Sequence, residues 1–492
     1  MNLLFLLGVP ILTAIAVMLV QSKQQIRWIS FAGATIQLLF AFLLLLAFRT
    51  ERAGNNTAQF LFEVNYPLIK AFNINFHLGV DGISVSMILL TAFVVIAGIL
   101  VSWNIEKMTK EFYFLLLLLS LGAYGFFVSL DLFVLFFFLE MAVIPKYLLI
   151  GIWGSGRKEY SANKLALMLM GGSALILVGM LGLYFISEHD FNIVTLAKIS
   201  ISHEYQLLIF PFLFLGFGVF TALFPLHTWV PDGHSSAPTA GSMFLAGISM
   251  KLGGYGCLRV AIYLLPEGAK EYADIIIILS SIAILYGAFV TMMQSDLKYI
   301  NAYSSVSHVG FSLLAMGMLT QTAITGALMQ MVSHGLMTAL FFAVIGMIYD
   351  RTHTRMVDEM GGLMKVMPFI TTVLFIVGLC SLGLPGFSGF VAEMTVFVGS
   401  WQNDDTFHRV ATISAAMSIV VTAVYILRAI GKTAMGPITN TNFLELKDAD
   451  WNEKLAAIIL VIGIVSIGIA PSWLNDLLKP AAEIISNRIA GK

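Results

Sequence analysis

The chain opens MNLLFLLGVPILTAIAVMLV, and long apolar runs of this kind recur as far as residue 475. A bilayer crossing needs about 20 mostly apolar residues. In lipid every backbone polar group must find its partner within the protein, which leaves only helices and closed barrels as spanning structures. Barrel strands give short alternating segments. These runs are long and rich in Leu, Ile and Phe, so they read as helices. Fourteen spans are expected, near 2–20, 28–48, 78–102, 112–129, 131–152, 163–187, 206–232, 240–263, 274–293, 300–319, 323–349, 366–400, 407–430 and 455–475. The first has no charged leader and no A-x-A cleavage site, so it reads as a span and not as a removable signal peptide.

Composition excludes the alternatives. A length of 492 residues would allow several soluble domains, but 59% of the residues are apolar and 11% charged. Soluble chains carry about 25% charged residues. A surface this apolar would be adhesive in water; in a bilayer, lipid covers it. The net charge of -1 offers no basic field to nucleic acid. Cys257 and Cys380 lie in separate apolar runs with no partner motif, so no disulfide framework, zinc site or iron–sulfur cluster is expected. The GKT at 431–433 lacks the upstream glycine of a phosphate loop. The glycines of GGYG and MGGS are expected to permit close helix packing, not to bind nucleotide.

Loop charge sets the orientation. With the N-terminus outside, fourteen Lys and Arg, Lys298 among them, fall in cytoplasmic loops and nine fall outside. The 49–77 connection holds short alternating stretches such as FLFEVNY and is compatible with a small outer hairpin; the polar 433–453 connection is expected to be a cytoplasmic loop. Span 7 is interrupted at Pro225 in LFPLHTWVPDGH, and span 12 around Pro385 in SLGLPGFSGF. The two breaks lie five spans apart. An odd offset inverts a duplicated five-span unit in the membrane, and paired broken helices in inverted repeats mark transporters. The plainer explanation is that Pro and Gly are common in membrane helices. The expected organisation is helices 1–3 over 1–110, a first five-helix repeat (helices 4–8) over 111–265, a second, inverted repeat (helices 9–13) over 266–435, and a loop with helix 14 over 436–492.

Ionisable residues inside the spans need explaining, because a charge at the bilayer centre costs about 3 kcal/mol even on insertion scales. Glu140 follows nine apolar residues in LFVLFFFLEMAVIP. It is either a neutral acid hydrogen-bonded to a neighbouring helix or a proton-exchanging carboxylate with a cationic partner. Burial favours the neutral form and an opposite charge the ionised form, and the balance of the two makes such a group switchable. Lys251, in SMFLAGISMKLGGYG, is placed mid-span, too far from a helix end to snorkel. Glu393 follows the span 12 break in GFSGFVAEMTVFVG, where broken helices line wet cavities, and suits a gate. Lys146 lies six residues after Glu140, about 9 Å along the helix and about 120° round it; it is either a partner for Glu140 or a lysine snorkelling to the surface. His308 and His334 sit inside later spans with Ser304, Ser305, Ser307 and Ser333 beside them. Histidine titrates near neutrality and can relay protons, although helix-to-helix hydrogen bonding would also account for it. His227, His234 and His353 fall at breaks or loops and are assigned structural roles. Together these residues predict proton movement, with no phosphate loop or redox ligand in the chain to drive it.

At this point the sequence resembles a known family. FPLHTWVPDGHSSAPTAGS, SDLKYINAYSSVSHVGF, MVSHGLMTALFFAVIGMIYDRTHTR and GLPGFSGFVAEM are similar to the antiporter-like subunits of respiratory complex I, of the subunit M type whose mitochondrial counterpart is subunit 4. The resemblance covers nearly the whole chain. It implies an all-α integral membrane fold of about fourteen helices, two inverted five-helix repeats and one proton channel, in the bacterial cytoplasmic membrane. It implies that Glu140, Lys251 and Glu393 match the family's ionisable residues of spans 5, 8 and 12, and that His308 and His334 match its intramembrane histidines. NADH, FMN, iron–sulfur clusters and quinone would belong to partner subunits, and the partners would be other membrane subunits, neighbouring antiporter-like ones above all. In one place the sequence departs from the family, which carries a lysine in span 7 where this chain has Phe220. Lys146 is the candidate substitute. A subunit of a multisubunit cation/proton antiporter and a non-pumping scaffold subunit are the competing functions.

Overall fold

A computed structural model describes residues 2–491. Helices α1 (Leu4–Leu19) and α2 (Lys23–Ala53) lead to a hairpin of β1 (Leu61–Ile69) and β2 (Ile74–Val80), antiparallel with Leu61 opposite Val80 and Asn65 opposite His77. Then come α3 (Gly82–Val101), α4 (Thr109–Val128), α5 (Leu132–Trp153) and α6 (Lys158–Ile186), followed by the single turn α7 (Ile193–Leu196). The expected span 7 is split into α8 (His203–Thr221) and α9 (Trp229–Ser236). The expected span 8 is split further, into α10 (Thr239–Phe244), a π-helical turn at Leu245–Ser249, α11 (Met250–Gly256) and a second π turn at Cys257–Ile262. The second half runs through α12 (Pro266–Glu271), α13 (Ala273–Met292), α14 (Leu297–Gly317) and the 32-residue α15 (Gln321–Thr352). Next come α16 (Pro368–Ser381), α17 (Ser388–Trp401), α18 (Thr406–Ala434), α19 (Trp451–Ile469) and α20 (Ser472–Ile489).

Ten of these helices are long and apolar enough to cross a membrane; the shorter apolar α1 and α16, the segmented span 8 and the more polar α14 complete the fourteen. Aspartates set the starts of five spans. Asp81 caps α3 through Ser84 N, Asp131 caps α5 through Phe133 N and Val134 N, Asp296 caps α14 through Lys298 N, and Asp405 caps α18 through His408 N. Each satisfies helix-start N–H groups that lipid cannot. Asp450 and Glu453 form a capping box at the start of α19. The hairpin was legible only in part, because it extends to Val80, into the expected third span. The amphipathic α20 was not expected; it packs against α3 and α15.

The two halves share one packing order. In the first, α4 packs on α5, α5 on α6 and α6 on α8; in the second, α13 packs on α14, α14 on α15 and α15 on α17. Both α8 and α17 border a break in a span. The apolar stretch of α15 is wholly buried and forms the axis of the molecule, while α2, α6, α13 and α18 turn Leu43, Leu167, Phe289 and Val420 outward. Such a surface needs lipid or apolar neighbours. The side with the hairpin is called here the hairpin face. The other, the loop face, carries the Arg27–Glu106, Lys164–Asp232, Arg355–Asp296 and Arg351–Glu453 ion pairs.

Glycines set the closest approaches. From MGGS, Gly172 lies against the Gly216 carbonyl of α8; from GGYG, Gly253 lies against the end of that helix, where a Cβ would sit 2.5 Å from Thr221 N and 2.6 Å from Phe217 O. The expected packing role of these glycines is thus visible. Backbone cannot yield as a flexible side chain can, so Gly253→Val should cost about 1–3 kcal/mol by overpacking. The thermal midpoint of the purified complex should fall, while Gly171→Ala, whose Cβ would meet nothing within 4 Å, should leave it in place.

Candidate functional site

The centre of the site is Lys251, on the short α11 between the two π turns. In an α-helix the Ala246 carbonyl would accept from the Met250 N–H. Here the Met250 N–H turns to Leu245 O, and the Ala246 oxygen accepts from Lys251 Nζ at 2.5 Å. The π turn therefore gives the ammonium an acceptor that a regular helix would not. On its other side Nζ lies 2.7 Å from Nδ1 of His334 on α15. With Lys251 charged, Nδ1 accepts and Nε2 of the same ring carries the proton.

From His334 the polar groups run sideways through the protein. Its ring centroid is 5.8 Å from that of His308 on α14. His308 Nε2 is 3.1 Å from Ser381 Oγ at the end of α16, and Nδ1 is 3.3 Å from Glu393 Oε1 on α17. This last contact has ion-pair proximity without hydrogen-bond alignment, for Nδ1 has no hydrogen-bond partner. Gln330 Nε2 reaches the His308 carbonyl at 3.4 Å, and Ser333 Oγ meets Ser388 Oγ at 2.8 Å. Lys251 is 1% exposed, His334 1%, His308 3% and Glu393 5%. Four titratable side chains from four helices thus form one buried file.

Glu140 and Lys146 lie apart from that file. Glu140, half-buried on α5, accepts a hydrogen bond from Ser173 Oγ of α6. Lys146 is buried and not a surface lysine; its Nζ lies 5.9 Å from the Phe220 ring centroid, has no hydrogen-bond partner, and makes no ion pair with Glu140 within 4 Å. The residue noted as a gap and the residue proposed to fill it are therefore in contact. Next to Phe220, Thr221 packs on Gly253, so the end of α8 stands between Lys146 and the turn that bears Lys251.

The structure corrects one assignment. Lys298, expected in a cytoplasmic loop, is buried, and its Nζ donates to Ala237 O at 2.7 Å. The Asp296 cap starts α14 ahead of the expected boundary and draws Lys298 inward; the SDLK string carried that signal. His234, assigned a structural role, is fully buried with neither ring nitrogen hydrogen-bonded, and it stacks on Phe342 at 5.2 Å. Asn301, one turn beyond Lys298, is also buried with both amide atoms unpaired. Orphaned buried polar atoms of this kind take ordered water. They place a second set of polar groups between the loop face and Lys251.

A model of the family described as NADH:quinone oxidoreductase/Mrp antiporter, TM matches residues 129–418. The chain belongs to this family. It is 36% identical over 483 residues to NAD(P)H-quinone oxidoreductase chain 4 2 of Picosynechococcus sp., covering 96% of this chain and 91% of that one. It is also 36% identical over 472 residues to the chloroplastic NAD(P)H-quinone oxidoreductase chain 4 of Angiopteris evecta, covering 94% of each. The fold matches a chain of respiratory complex I from Thermus thermophilus with bound NADH, at TM-score 0.90, 26% identity and full coverage of both chains. A chain of the Mrp complex from Dietzia sp. matches at TM-score 0.86 and 18% identity over 99% of this chain and 97% of that one, which shows a shared fold. The family match spans Glu140, Lys146, Lys251, His308, His334 and Glu393.

Glu393 is held close to the break before α17. Gly383 there has φ +73°, and a Cβ on it would lie 2.5 Å from Glu393 Oε2. Gly383→Ala should cost about 1–2 kcal/mol for the left-handed backbone and push the carboxylate away. A cryo-EM map of the variant complex should place Oε1 farther from His308 Nδ1 than the present 3.3 Å.

Proposed function

We propose that this chain is a proton-translocating membrane subunit of a respiratory NADH–quinone oxidoreductase. The observation that carries the reading is the buried file Lys251–His334–His308–Glu393, in which each side chain neighbours the next. Each member can gain and lose a proton, and each lies beside the next. Redox energy would come from partner subunits that hold NADH, FMN, iron–sulfur clusters and quinone. The chain would sit among other membrane subunits in a bacterial cytoplasmic membrane, with its N-terminus and hairpin face outside. On this reading protons enter from the loop face past Lys298, Asn301 and His234 and reach Lys251. They cross by His334 and His308 and leave at Glu393. Residues 111–265 and 266–435 are read as the two inverted repeats, each supplying half of the path.

Glu140 and Lys146 are assigned the electrostatic switch. The family places the cation of this pair on span 7; here Phe220 occupies that position and Lys146 lies against its ring. A charge in apolar surroundings acts strongly on its neighbours, so a proton gained at Glu140 changes the field that Lys251 feels.

The test is the whole complex in proteoliposomes, with proton uptake and quinone reduction followed together. Lys251→Met and Glu393→Gln should each lower proton translocation by about a hundredfold, near the low end of what a positioned proton-transfer group contributes. Translocation at the wild-type rate in both would remove the reading in favour of a scaffold role. A requirement for sodium would point to the cation/proton antiporter. Lys146→Met is expected to lower pumping at least as much as Glu140→Gln does; normal pumping in Lys146→Met would end its assignment as the substitute cation.

A further inference from the structure

The helix that bears Lys251 carries a second line of polar groups that the file toward Glu393 does not use. Lys251, Tyr255, Arg259 and Tyr263 recur every fourth residue. On a helix that spacing forms a stripe drifting about 40° per step, and this one climbs from the centre to the hairpin face. Lys251, Tyr255, Arg259 and Tyr263 are all buried. The Tyr255 hydroxyl is 3.2 Å from Ser84 Oγ and 3.4 Å from Phe127 O. Ser84 begins α3, where its N–H donates to Asp81 Oδ1 at 2.9 Å. The other oxygen of Asp81 forms a buried ion pair with the Arg259 guanidinium. That guanidinium lies over the rings of Phe60, Tyr255 and Tyr263 at 5.3, 5.5 and 5.9 Å. Beyond it, the Tyr263 hydroxyl accepts from Gln59 Nε2 at 2.8 Å, and Gln59 is partly exposed on the hairpin face.

A column of this kind starts one helical turn from Lys251 and reaches the surface, and it would short-circuit a pump unless it is closed. The hydroxyls of Tyr255 and Ser84 can both accept and donate a proton. Arginine cannot: it has five donors, no acceptor, and stays protonated in proteins. A proton coming outward from Lys251 therefore meets a fixed positive charge eight residues on, about 12 Å along the helix. Asp81 holds that charge in place, since an unpaired buried guanidinium would be strongly destabilising. Glu393, the end of the lateral file, has no such guard. Among the described residues it pairs with His308 and with no arginine.

We propose that the Asp81–Arg259 pair is an electrostatic plug. It closes the direct route from Lys251 to the hairpin face and leaves the lateral route through His334 and His308 as the way out. Arg259 acts through its charge and transfers no proton. This inference rests on the proton path proposed above.

The plug is tested by passive leak, without substrate. The whole complex in proteoliposomes is given an imposed pH step with potassium and valinomycin clamping the potential, and the decay is followed with an internal pH dye. Arg259→Gln should speed the decay attributable to the complex by about tenfold, the weight of one unit charge over about 12 Å at an effective dielectric near 20. Arg259→Lys, which keeps both the positive charge and its Asp81 partner, should stay as tight as the wild type. Adding Lys251→Met to Arg259→Gln should restore tightness, because the leak runs through Lys251. A tight Arg259→Gln complex overturns the plug, and so does equal leakage in Arg259→Gln and Arg259→Lys, the mark of a merely structural pair. Should Arg259→Gln not assemble, Asp81→Asn/Arg259→Gln, which leaves no uncompensated charge, takes its place and should leak more than wild type; tight vesicles there overturn the plug equally. The proton path itself is judged separately, by the pumping of Lys251→Met alone.

Discussion

The ammonium of Lys251 is held between two acceptors, the Ala246 carbonyl and His334 Nδ1, and much of the architecture exists to keep it there. A charge in this position costs several kcal/mol unless its hydrogen bonds are made within the protein. A regular helix supplies none, because its carbonyls are already engaged. The π turn at Leu245–Ser249 releases one. The second acceptor requires α15 to pass at bonding distance, and its burial along the molecular axis ensures that. Gly253 lets the end of α8 close on the same short helix from the other side. The lysine, the helix defect and the glycine form one arrangement, in which no part is explained alone.

The same economy of backbone governs the breaks. Splitting a membrane helix frees N–H and C=O groups that lipid cannot satisfy. Both broken spans of this chain are covered by their neighbours, α8 by α6 and α17 by α15. The packing order on the two sides is alike, as two copies of one unit would require. Each break then does different work. At α8 it sets Phe220 against Lys146. At α17 it brings Glu393 and Gly383 together beneath His308.

What could be read from the sequence follows from cost. Glu140, Lys251 and Glu393 stood out because each interrupts an apolar run, and such an interruption needs a compensating partner somewhere. The partner itself was not legible. Nothing in the one-dimensional pattern says that His334 and not His308 meets the lysine, since that is decided by helix crossing. Lys298 was misplaced because it lies beside polar residues, where local composition reads as loop, although tertiary packing buries it. Aspartate caps gave the true start of α14. The four-residue repeat of Lys251, Tyr255, Arg259 and Tyr263 was visible from the outset but had no meaning until α3 supplied Asp81 and Ser84. The last helix, α20, follows the final apolar run and has too few apolar residues to register as a span.

On the proposed assignment, a cation on α5 in place of one on α8 changes the route of its influence more than its strength. A lysine at position 220 would stand on α8, beside Thr221, which packs on Gly253 near Lys251. Lys146 has the ring of Phe220 on that side instead. A phenyl ring has no site to pass a proton, so the two lysines cannot be joined there by a chain of hydrogen bonds. It does, however, leave the intervening space poorly polarisable, and charges separated by such material interact more strongly than across water. On the proposed assignment, Glu140 and Lys146 act on the file through Lys251 by field alone.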